Sequence, residues 1–201
     1  MNATSKALRR GPDTVEILQL RIDLEYILPT VTRTLLIRAS SSLGTLHTAI
    51  QAAMGWEDSH LHEFEKDGVR YGQPNLYEDF EELAVESERK QLGTLFRKGT
   101  QSLSYLYDFG DSWQHTVTLE DRLPADLKMQ WPRCIAGENS CPPEDVGGPP
   151  GYMHYLEAVL DPNHEEHVDM IQWRGAGFHP SHFSPDEANA RLKKWLFRKG
   201  G

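Results

Sequence analysis

The stretch from Tyr107 to His115 reads YDFGDSWQH and decides the centre of the fold. On both sides of it, apolar side chains recur at every second residue, which is the period of a strand with one buried face. These residues are Leu103, Tyr105, Tyr107 and Phe109 before the turn, and Trp113, His115, Val117 and Leu119 after it. Gly110 can adopt a positive φ, and Asp111 can accept bonds from nearby amides. The pattern predicts a β-hairpin with a bulge or a loop of about three to five residues, with Asp108 and Asp111 at its mouth.

Length and composition are those of a globular protein that can build a core. The chain has 201 residues, of which 38% are apolar and 25% charged. That length suits one large domain. No apolar run of about 18 residues is present, so no transmembrane helix is expected. The polar start from Met1 to Gly11 lacks the apolar centre of a secretory signal. We therefore expect a flexible leader over 1–13 and a single domain over 14–199.

The cysteine content indicates a fold that does not depend on disulfides. Only Cys134 and Cys141 are present in the whole chain. Small disulfide-built domains carry more cysteines at a closer spacing. A reducing cytoplasmic compartment is therefore the expected location.

The net charge of −9 is unevenly distributed. Residues 101–170 carry three Lys or Arg against thirteen Asp or Glu, whereas residues 171–201 carry six against two. A surface of strongly negative sign repels a phosphate backbone, so direct nucleic-acid binding is not expected. The basic residues near the C-terminus are interpreted as a solvated helix face, and they are Arg191, Lys193, Lys194, Arg198 and Lys199.

The elements ahead of the hairpin predict an α+β fold. Val15–Leu24 alternates as a strand, and Val31–Ala39 is rich in β-branched residues and reads as a more buried partner. A helix is predicted between Ser40–Ser42 and Gly55, on the helical spacing of Leu46, Ala49, Ile50, Ala53 and Met54. His60–Phe64 alternates as another strand. The order strand-strand-helix-strand-strand-strand predicts a β-grasp-like mixed sheet.

Glycine and proline dominate the segment that follows the hairpin. Cys134 to Tyr152 reads CIAGENSCPPEDVGGPPGY, a composition that is incompatible with long regular elements. Ile135, Val146 and Tyr152 are expected to anchor it as an ordered loop packed on the sheet.

Three helices are predicted after this loop. Their boundary signals are Asp161-Pro162, a capping box of Asn163 and Glu166, Gly175, and Ser184-Pro185. In the second of these helices, Val168 and Ile171 are expected to point inward. The third has an apolar stripe of Ala188, Leu192, Trp195 and Leu196.

Four motifs distributed along the chain are long and unusual. They are WEDSHLHEF (Trp56–Phe64), YDFGDSWQHTV (Tyr107–Val117), the segment CIAGENSCPPEDVGGPPGY, and FHPSHFSPDEAN (Phe178–Asn189). Together they resemble the plasmid pRiA4b ORF-3-like family over nearly the whole chain. The sequence departs from the family pattern at Val146, where many relatives have cysteine, and at Pro150, where a bulky residue is common.

The resemblance implies no established activity. Some family members are labelled resolvases, and a few similar domains are joined to helix-turn-helix segments. Strand transfer needs a Ser or Tyr nucleophile among arginines that neutralise the scissile phosphate. Residues 101–170 offer only Arg122, Lys128 and Arg133. Resolvase activity is therefore not expected of this chain.

One hypothesis for a site is a zinc centre. Cys134 and Cys141 together with a histidine, either His60, His62 or His115, would give the mixed sulfur and nitrogen ligands that zinc prefers. His62 is the histidine we assign to this hypothesis. The spacing of the cysteines is wider than the short C-x₂₋₄-C of structural zinc sites. The alternative is that both thiols are small buried residues of the ordered loop.

A second hypothesis is acid–base or hydrolytic chemistry at the hairpin mouth. Its candidate catalytic residues are Asp108, Asp111, His115, Glu144 and Asp145. A histidine beside carboxylates can transfer protons or complete an oxygen-rich metal site. The structural alternative is that the histidine belongs to the core and that the carboxylates order the turn and the loop.

The third hypothesis is a binding or regulatory module, and it is the function we expect. Its candidate ligand-binding residues are Trp56, His60, Tyr107, Trp113 and Tyr152, and Trp173 adds a further aromatic ring. With acidic neighbours, these side chains would line a surface for a protein, a peptide or a small cationic ligand. The alternative for these aromatics is the core. A metal-assisted hydrolase at the hairpin mouth remains the second function, and neither a membrane nor a nucleic acid is expected as a partner.

Overall fold

The computed structural model describes residues 14–72, 86–97, 101–126, 130–175 and 177–199. The expected leader over 1–13 lies outside these ranges. Within them the elements are β1 (Thr14–Leu24), β2 (Thr32–Arg38), α1 (Leu43–Met54), β3 (His62–Lys66), β4 (Val69–Gly72), β5 (Glu86–Ser87), α2 (Leu92–Leu95), β6 (Ser102–Tyr107), β7 (Trp113–Asp126), β8 (Arg133–Glu138), α3 (Gly148–Leu160), α4 (His167–Arg174) and α5 (Pro185–Lys199).

The strands form one sheet, in the order β5-β4-β3-β6-β7-β1-β2-β8. Every neighbouring pair is antiparallel except the short pair of β4 and β5, which is parallel. Together with five helices in the described part of the chain, this sheet gives an α+β fold, as the sequence predicts. The finer expectation, a β-grasp-like arrangement, stays a prediction.

The long pairing of β1 with β7 forms the middle of the sheet. It runs from the pair Thr14 and Asp126 to the pair Leu24 and His115. The alternating residues Leu18, Leu20, Ile22 and Leu24 of β1 are buried, which confirms the two-residue period seen in the sequence. A bulge between Gln19 and Leu20 shifts the register, and such bulges sharpen the twist of a sheet.

The predicted hairpin is confirmed. Tyr107 pairs with Trp113, so residues 108–112 form the connecting loop between β6 and β7. The predicted strand at His60–Phe64 begins two residues later, at His62. His60 therefore lies in the loop that approaches the hairpin, and not on the strand.

The helix α1 is capped as its sequence predicts, but it is covered on more than one side. Ser42 Oγ accepts a hydrogen bond from the Thr45 amide at 3.2 Å, and Gly55 ends the helix with a φ of 96°. Nearly every residue of α1 is buried, because α5 packs against it in addition to the sheet. Arg191 of α5, interpreted above as solvated, instead donates from Nε to the Ala52 carbonyl at 2.8 Å.

The segment predicted as a loop contains a strand and the start of a helix. β8 occupies its first part and pairs with β2. This pairing supplies hydrogen-bond partners to the backbone groups along the outer edge of β2. α3 begins at Gly148, with prolines in its first turn, where a missing N–H costs nothing. Only the part between Asn139 and Gly147 is irregular, as expected.

The helix α4 differs from its prediction in two ways. It begins at His167, with Glu166 at the N-cap position and no side-chain capping bond, so the predicted capping box does not form. No residue of α4 is buried, and Val168 is 61% exposed. The apolar side chains predicted to point inward therefore contribute to the surface.

Within the described ranges, no helix combines the length and the apolar character required to cross a lipid bilayer.

Candidate functional site

The turn of the hairpin is organised by Asp108. Its Oδ1 accepts hydrogen bonds from the Gly110 amide at 2.9 Å and from the Asp111 amide at 3.3 Å. Its own amide donates to the Leu61 carbonyl at 2.9 Å. Asp108 adopts a φ of 57°, in the left-handed region that Asp tolerates better than most residues. One carboxylate oxygen thus orders the turn, and Oδ2 faces the loop before β3.

The irregular loop between β8 and α3, residues 139–147 (the mouth loop), is bound directly to this hairpin. Gly147 donates its amide hydrogen to Asp111 Oδ2 at 3.2 Å. A Cβ added at Gly148 would overlap the carbonyl oxygen of Asp111, so the two backbones touch where only glycine fits. The two segments that the sequence placed at one site therefore lie together.

Glu144 lies at the centre of a second set of contacts. Its Oε1 accepts a hydrogen bond from the Tyr107 hydroxyl at 2.6 Å and another from the Glu57 amide at 3.1 Å. Burial, followed by the adjacent Glu144 carboxylate, raises the pKa of Tyr107 well above its ordinary value, so its hydroxyl stays a donor. Trp56 adds a bond from Nε1 to the Pro142 carbonyl at 3.0 Å. Glu144 is therefore occupied in joining three segments.

His60 and two aspartates converge at the mouth itself. His60 Nε2 lies 3.2 Å from Asp145 Oδ1 and 3.6 Å from Asp108 Oδ2. Although this nitrogen is buried, it makes no hydrogen bond with any residue in the described ranges. The three ligand atoms lie within 4.8 Å of one another, which lets one cation contact all of them. One imidazole nitrogen and two carboxylate oxygens suit a borderline or hard divalent ion.

A second cluster of possible ligands, His47, Asp58 and His62, has less suitable geometry. The two imidazole rings stack with centroids 3.5 Å apart and planes inclined by 5°. Ring nitrogens bind metals in the plane of the ring, so an ion in the plane of one ring lies outside the plane of the other. The nitrogens instead make hydrogen bonds: His47 contacts Asp58 at 2.7 Å and Tyr105 at 2.8 Å, and His62 contacts Glu88 at 3.1 Å.

The structure does not bring the expected zinc ligands Cys134, Cys141 and His62 together in one cluster. Cys134 and Cys141 are free thiols, and neither belongs to a metal-capable cluster among the described residues. Burial raises the pKa of Cys134, and it raises the pKa of Cys141 to about 12, so both remain protonated thiols. His62, the histidine assigned to this hypothesis, lies beside His47 and Glu88.

Four of the five candidate ligand-binding residues are buried. Trp56, Tyr107, Trp113 and Tyr152 are each at most 3% exposed. Trp56 packs on Tyr107 with ring centroids 5.0 Å apart and on Trp113 at 6.0 Å. The aromatic rings expected to line an open surface are therefore core residues: Tyr107 and Trp113 lie on the sheet, Trp56 packs on both of them, and Tyr152 belongs to α3. His60 alone of the five is partly exposed.

His115 is also a core residue and does not reach the mouth. Its Nδ1 donates to the Tyr105 carbonyl at 3.2 Å, and its ring packs edge-on against Trp56. Burial lowers its pKa to about 4, so the ring is neutral at pH 7. A neutral, enclosed imidazole stabilises the core and is poorly placed for proton transfer to a substrate at the mouth.

A cavity of about 320 Å³ opens beside the mouth. Its walls are Asp145, Val146, Asp169, Met170 and Trp173. The side chain of Asp145 is 74% exposed, and Trp173 is 51% exposed. Asp169 and Met170 were not identified from the sequence, because the spacing of α4 indicated only that its apolar side belongs inside.

The sequence profile of the plasmid pRiA4b ORF-3-like proteins matches residues 16–187. The chain belongs to this family. The uncharacterised protein y4hQ of Sinorhizobium fredii is a relative with 37% identity over 166 residues, which cover 82% of this chain and 84% of y4hQ. The crystal structure of MM3350 from Methanosarcina mazei, a protein of unknown function, shares the fold with a TM-score of 0.78 and 36% identity, over 86% of this chain and 96% of that chain.

Proposed function

We propose that this member of the plasmid pRiA4b ORF-3-like family is a binding module that receives a cationic side chain of a protein or peptide. The site is the acidic pocket between the mouth loop and α4. The observation that carries the proposal is the exposed indole of Trp173 beside the carboxylates of Asp145 and Asp169 in one cavity.

The chemistry of the pocket favours a lysine or arginine as the occupant. Two carboxylates attract a cation, and an indole face binds it further through its quadrupole, a contribution of about 0.5–1 kcal/mol at exposed sites. Met170 and Val146 supply apolar wall for the aliphatic stem of such a side chain. Tyr155 contacts Trp173 edge-on, with centroids 5.9 Å apart, and so orients the indole before a ligand arrives.

The surface around the pocket supports a macromolecular partner. Val168, on the same helix, is 61% exposed, and no residue of α4 is buried. An exposed apolar face beside carboxylates resembles the anchor region of a protein–protein interface, in which aromatic residues carry much of the energy. A basic segment with an apolar neighbour therefore fits better than a free ion.

Titration of the ¹⁵N-labelled chain with an acetylated Gly-Arg-Gly amide tests the proposal, and the citrulline analogue serves as the neutral control. The arginine peptide is expected to shift the amides of residues 168–173, and the citrulline peptide to leave them in place. Trp173→Ala and Asp169→Asn should each weaken binding by roughly three- to tenfold. Asp121→Asn, at an exposed position on β7, is the matched control. Equal shifts from both peptides would remove the proposal.

A metal-assisted hydrolase is the second candidate function, and one observation favours it. The buried Nε2 of His60 has no hydrogen bond in the described part of the chain and faces oxygens of Asp108 and Asp145. A divalent ion held there would activate a water molecule by lowering its pKa. Elemental analysis and titration with Mn²⁺ test this function. His60→Ala and Asp108→Asn should abolish tight binding of the ion, whereas Asp169→Asn should leave it unchanged.

The remaining expectations are retained as proposals. The β1–β2 hairpin followed by α1 supports a β-grasp-like classification. The matched range 16–187 supports a single domain. The two free thiols support a cytoplasmic location. Within residues 101–170, the excess of Asp and Glu over Lys and Arg argues against direct nucleic-acid binding by the mouth.

A further inference from the structure

A second cavity, of about 380 Å³, shares no lining residue with the acidic pocket and has the opposite character. Its walls come from β2, the end of α1, the mouth loop, the end of α4 and the motif FHPSHFSPDEAN. Its charged and imidazole side chains are Arg33, Arg174, Arg191, His179, His182 and Glu187. This motif carries part of the family resemblance and has no role in the site proposed above.

Positive charge prevails in this cavity although the chain as a whole carries −9. Three arginines line it, and Glu187 is the one carboxylate among its lining residues. Glu187 is already engaged, because both of its oxygens lie 3.3 Å from His182 Nε2. A net excess of cationic groups that line one cavity indicates an anionic occupant.

Arg33 is the decisive residue, since it is 2% exposed and pairs with no carboxylate of the described residues. Its Nε donates to the Ala53 carbonyl at 3.0 Å, and its Nη1 donates to the carbonyls of Thr32 and Glu138. Its guanidinium carbon lies 4.3 Å from the centroid of the Phe183 ring. Burial of a guanidinium is costly unless its charge is compensated. Nη2 makes no hydrogen bond to any described residue, which leaves donors available toward the cavity.

Other donors in the cavity are also available. Arg191 is committed to the carbonyls at the end of α1, but Arg174 forms no ion pair within the described ranges. The imidazole of His179 makes no side-chain hydrogen bond there either. Ser140 Oγ donates to the His179 carbonyl at 2.6 Å and so holds this wall in place. Among the described residues, the cavity thus presents Arg33 Nη2 and the side chains of Arg174 and His179 without hydrogen-bond or ion-pair partners.

We propose that this cavity binds a small molecule through a phosphate group. Two guanidinium groups and an imidazole provide more donors than a single carboxylate can accept, and they match the charge of a phosphate dianion. The volume lies near the lower end of the range for small-molecule sites, which is about 300–1,000 Å³. It is therefore suited to a phosphorylated metabolite and too small for a nucleic-acid duplex.

The test is an NMR titration of the ¹⁵N-labelled full chain with inorganic phosphate, against chloride at matched ionic strength. Phosphate, and not chloride, is expected to shift the amides of residues 177–184. Arg174→Gln changes an exposed position at the end of α4 and should weaken phosphate binding by at least about tenfold. Arg89→Gln removes the same charge from an exposed turn outside the cavity and should leave the affinity unchanged.

Two further comparisons complete the test. Phenyl phosphate should bind more tightly than benzoate, and the reverse order would replace phosphate by a carboxylate and overturn the proposal. Equal weakening by Arg174→Gln and Arg89→Gln would also overturn it, because it would show that phosphate responds only to net charge. Amide shifts that are confined to residues outside the cavity would also overturn the proposal.

Discussion

The contact between the mouth loop and the hairpin depends on a glycine, and replacement of Gly148 by alanine tests it. Gly148 has a φ of 67°, and an added Cβ would overlap the carbonyl oxygen of Asp111. Gly68 has a φ of 78°, but no atom of the described residues lies within 4 Å of the corresponding Cβ. Gly68→Ala therefore carries the cost of a left-handed backbone alone, whereas Gly148→Ala carries this cost and a collision with the hairpin.

The two costs differ by enough to measure. A left-handed conformation costs a residue other than glycine about 1–2 kcal/mol. In Gly148→Ala, the loop and the hairpin must also separate, and this breaks the 3.2 Å bond from the Gly147 amide to the Asp111 carboxylate. A hydrogen bond to a charged group contributes about 1.5–3 kcal/mol. We expect Gly148→Ala to lower the free energy of unfolding by about 3–4 kcal/mol and Gly68→Ala by about 1–2 kcal/mol.

Urea denaturation followed by circular dichroism measures both variants on one scale. The m-value should stay constant, because the folded core is the same, and the midpoint should fall further for Gly148→Ala. A loss of stability that is equal in the two variants would refute the reasoning. It would mean that the loop does not contact the hairpin in solution, and the candidate site would then lose its geometric basis.

Two further predictions concern the core beneath the mouth. Burial lowers the pKa of His115 to about 4 from an ordinary 6.5, so its contribution to stability is complete above pH 6.5 and decreases as the pH falls toward 4, by about 3 kcal/mol in total. Urea titrations at pH 7 and pH 4 should show a smaller pH dependence for His115→Gln than for wild type, and identical dependences would contradict the assignment. Tyr107→Phe removes the hydroxyl that donates to Glu144 and should cost about 2 kcal/mol. Tyr155→Phe removes a buried hydroxyl that has no partner among the described residues, so in the same assay it should be neutral or stabilising, and an equal loss in both variants would contradict this account.

Local periodicity in the sequence was sufficient for the elements around the hairpin. The alternation on both sides of Gly110 located β6 and β7, and Ser42 and Gly55 marked the ends of α1. Alternation, capping and positive φ are properties of short segments, so they do not depend on what packs against them. For the same reason, Asp108 and Asp111 were correctly placed at the mouth.

The pairing of a strand in the glycine- and proline-rich segment with β2 was not predictable from local sequence. Its composition indicated a loop, yet Arg133–Glu138 became β8. The reason lies about a hundred residues earlier, in the open edge of β2, which supplies backbone hydrogen-bond partners to any segment that reaches it. Nothing in the residues of this segment indicates that the edge of β2 is available for pairing.

Tertiary contacts also decided which side chains of the sheet and of α4 are buried. Alternation showed that Tyr107 and Trp113 share one face of the sheet, but not that Trp56 packs on both of them and that both are buried. The spacing of Val168 and Ile171 identified the apolar side of α4, and yet this helix has no buried residue. Periodicity shows which side chains lie together, and only the packing of other segments decides whether water reaches them.

The sequence by itself therefore determined the α+β class, the hairpin, the capped helix and membership of the plasmid pRiA4b ORF-3-like family. Tertiary structure alone decided that Glu144 joins Tyr107 to Glu57, that His60 meets two aspartates, and that three arginines line one cavity. The physical reason is that backbone conformation follows from neighbouring residues, whereas a site depends on side chains that approach from distant positions in the chain.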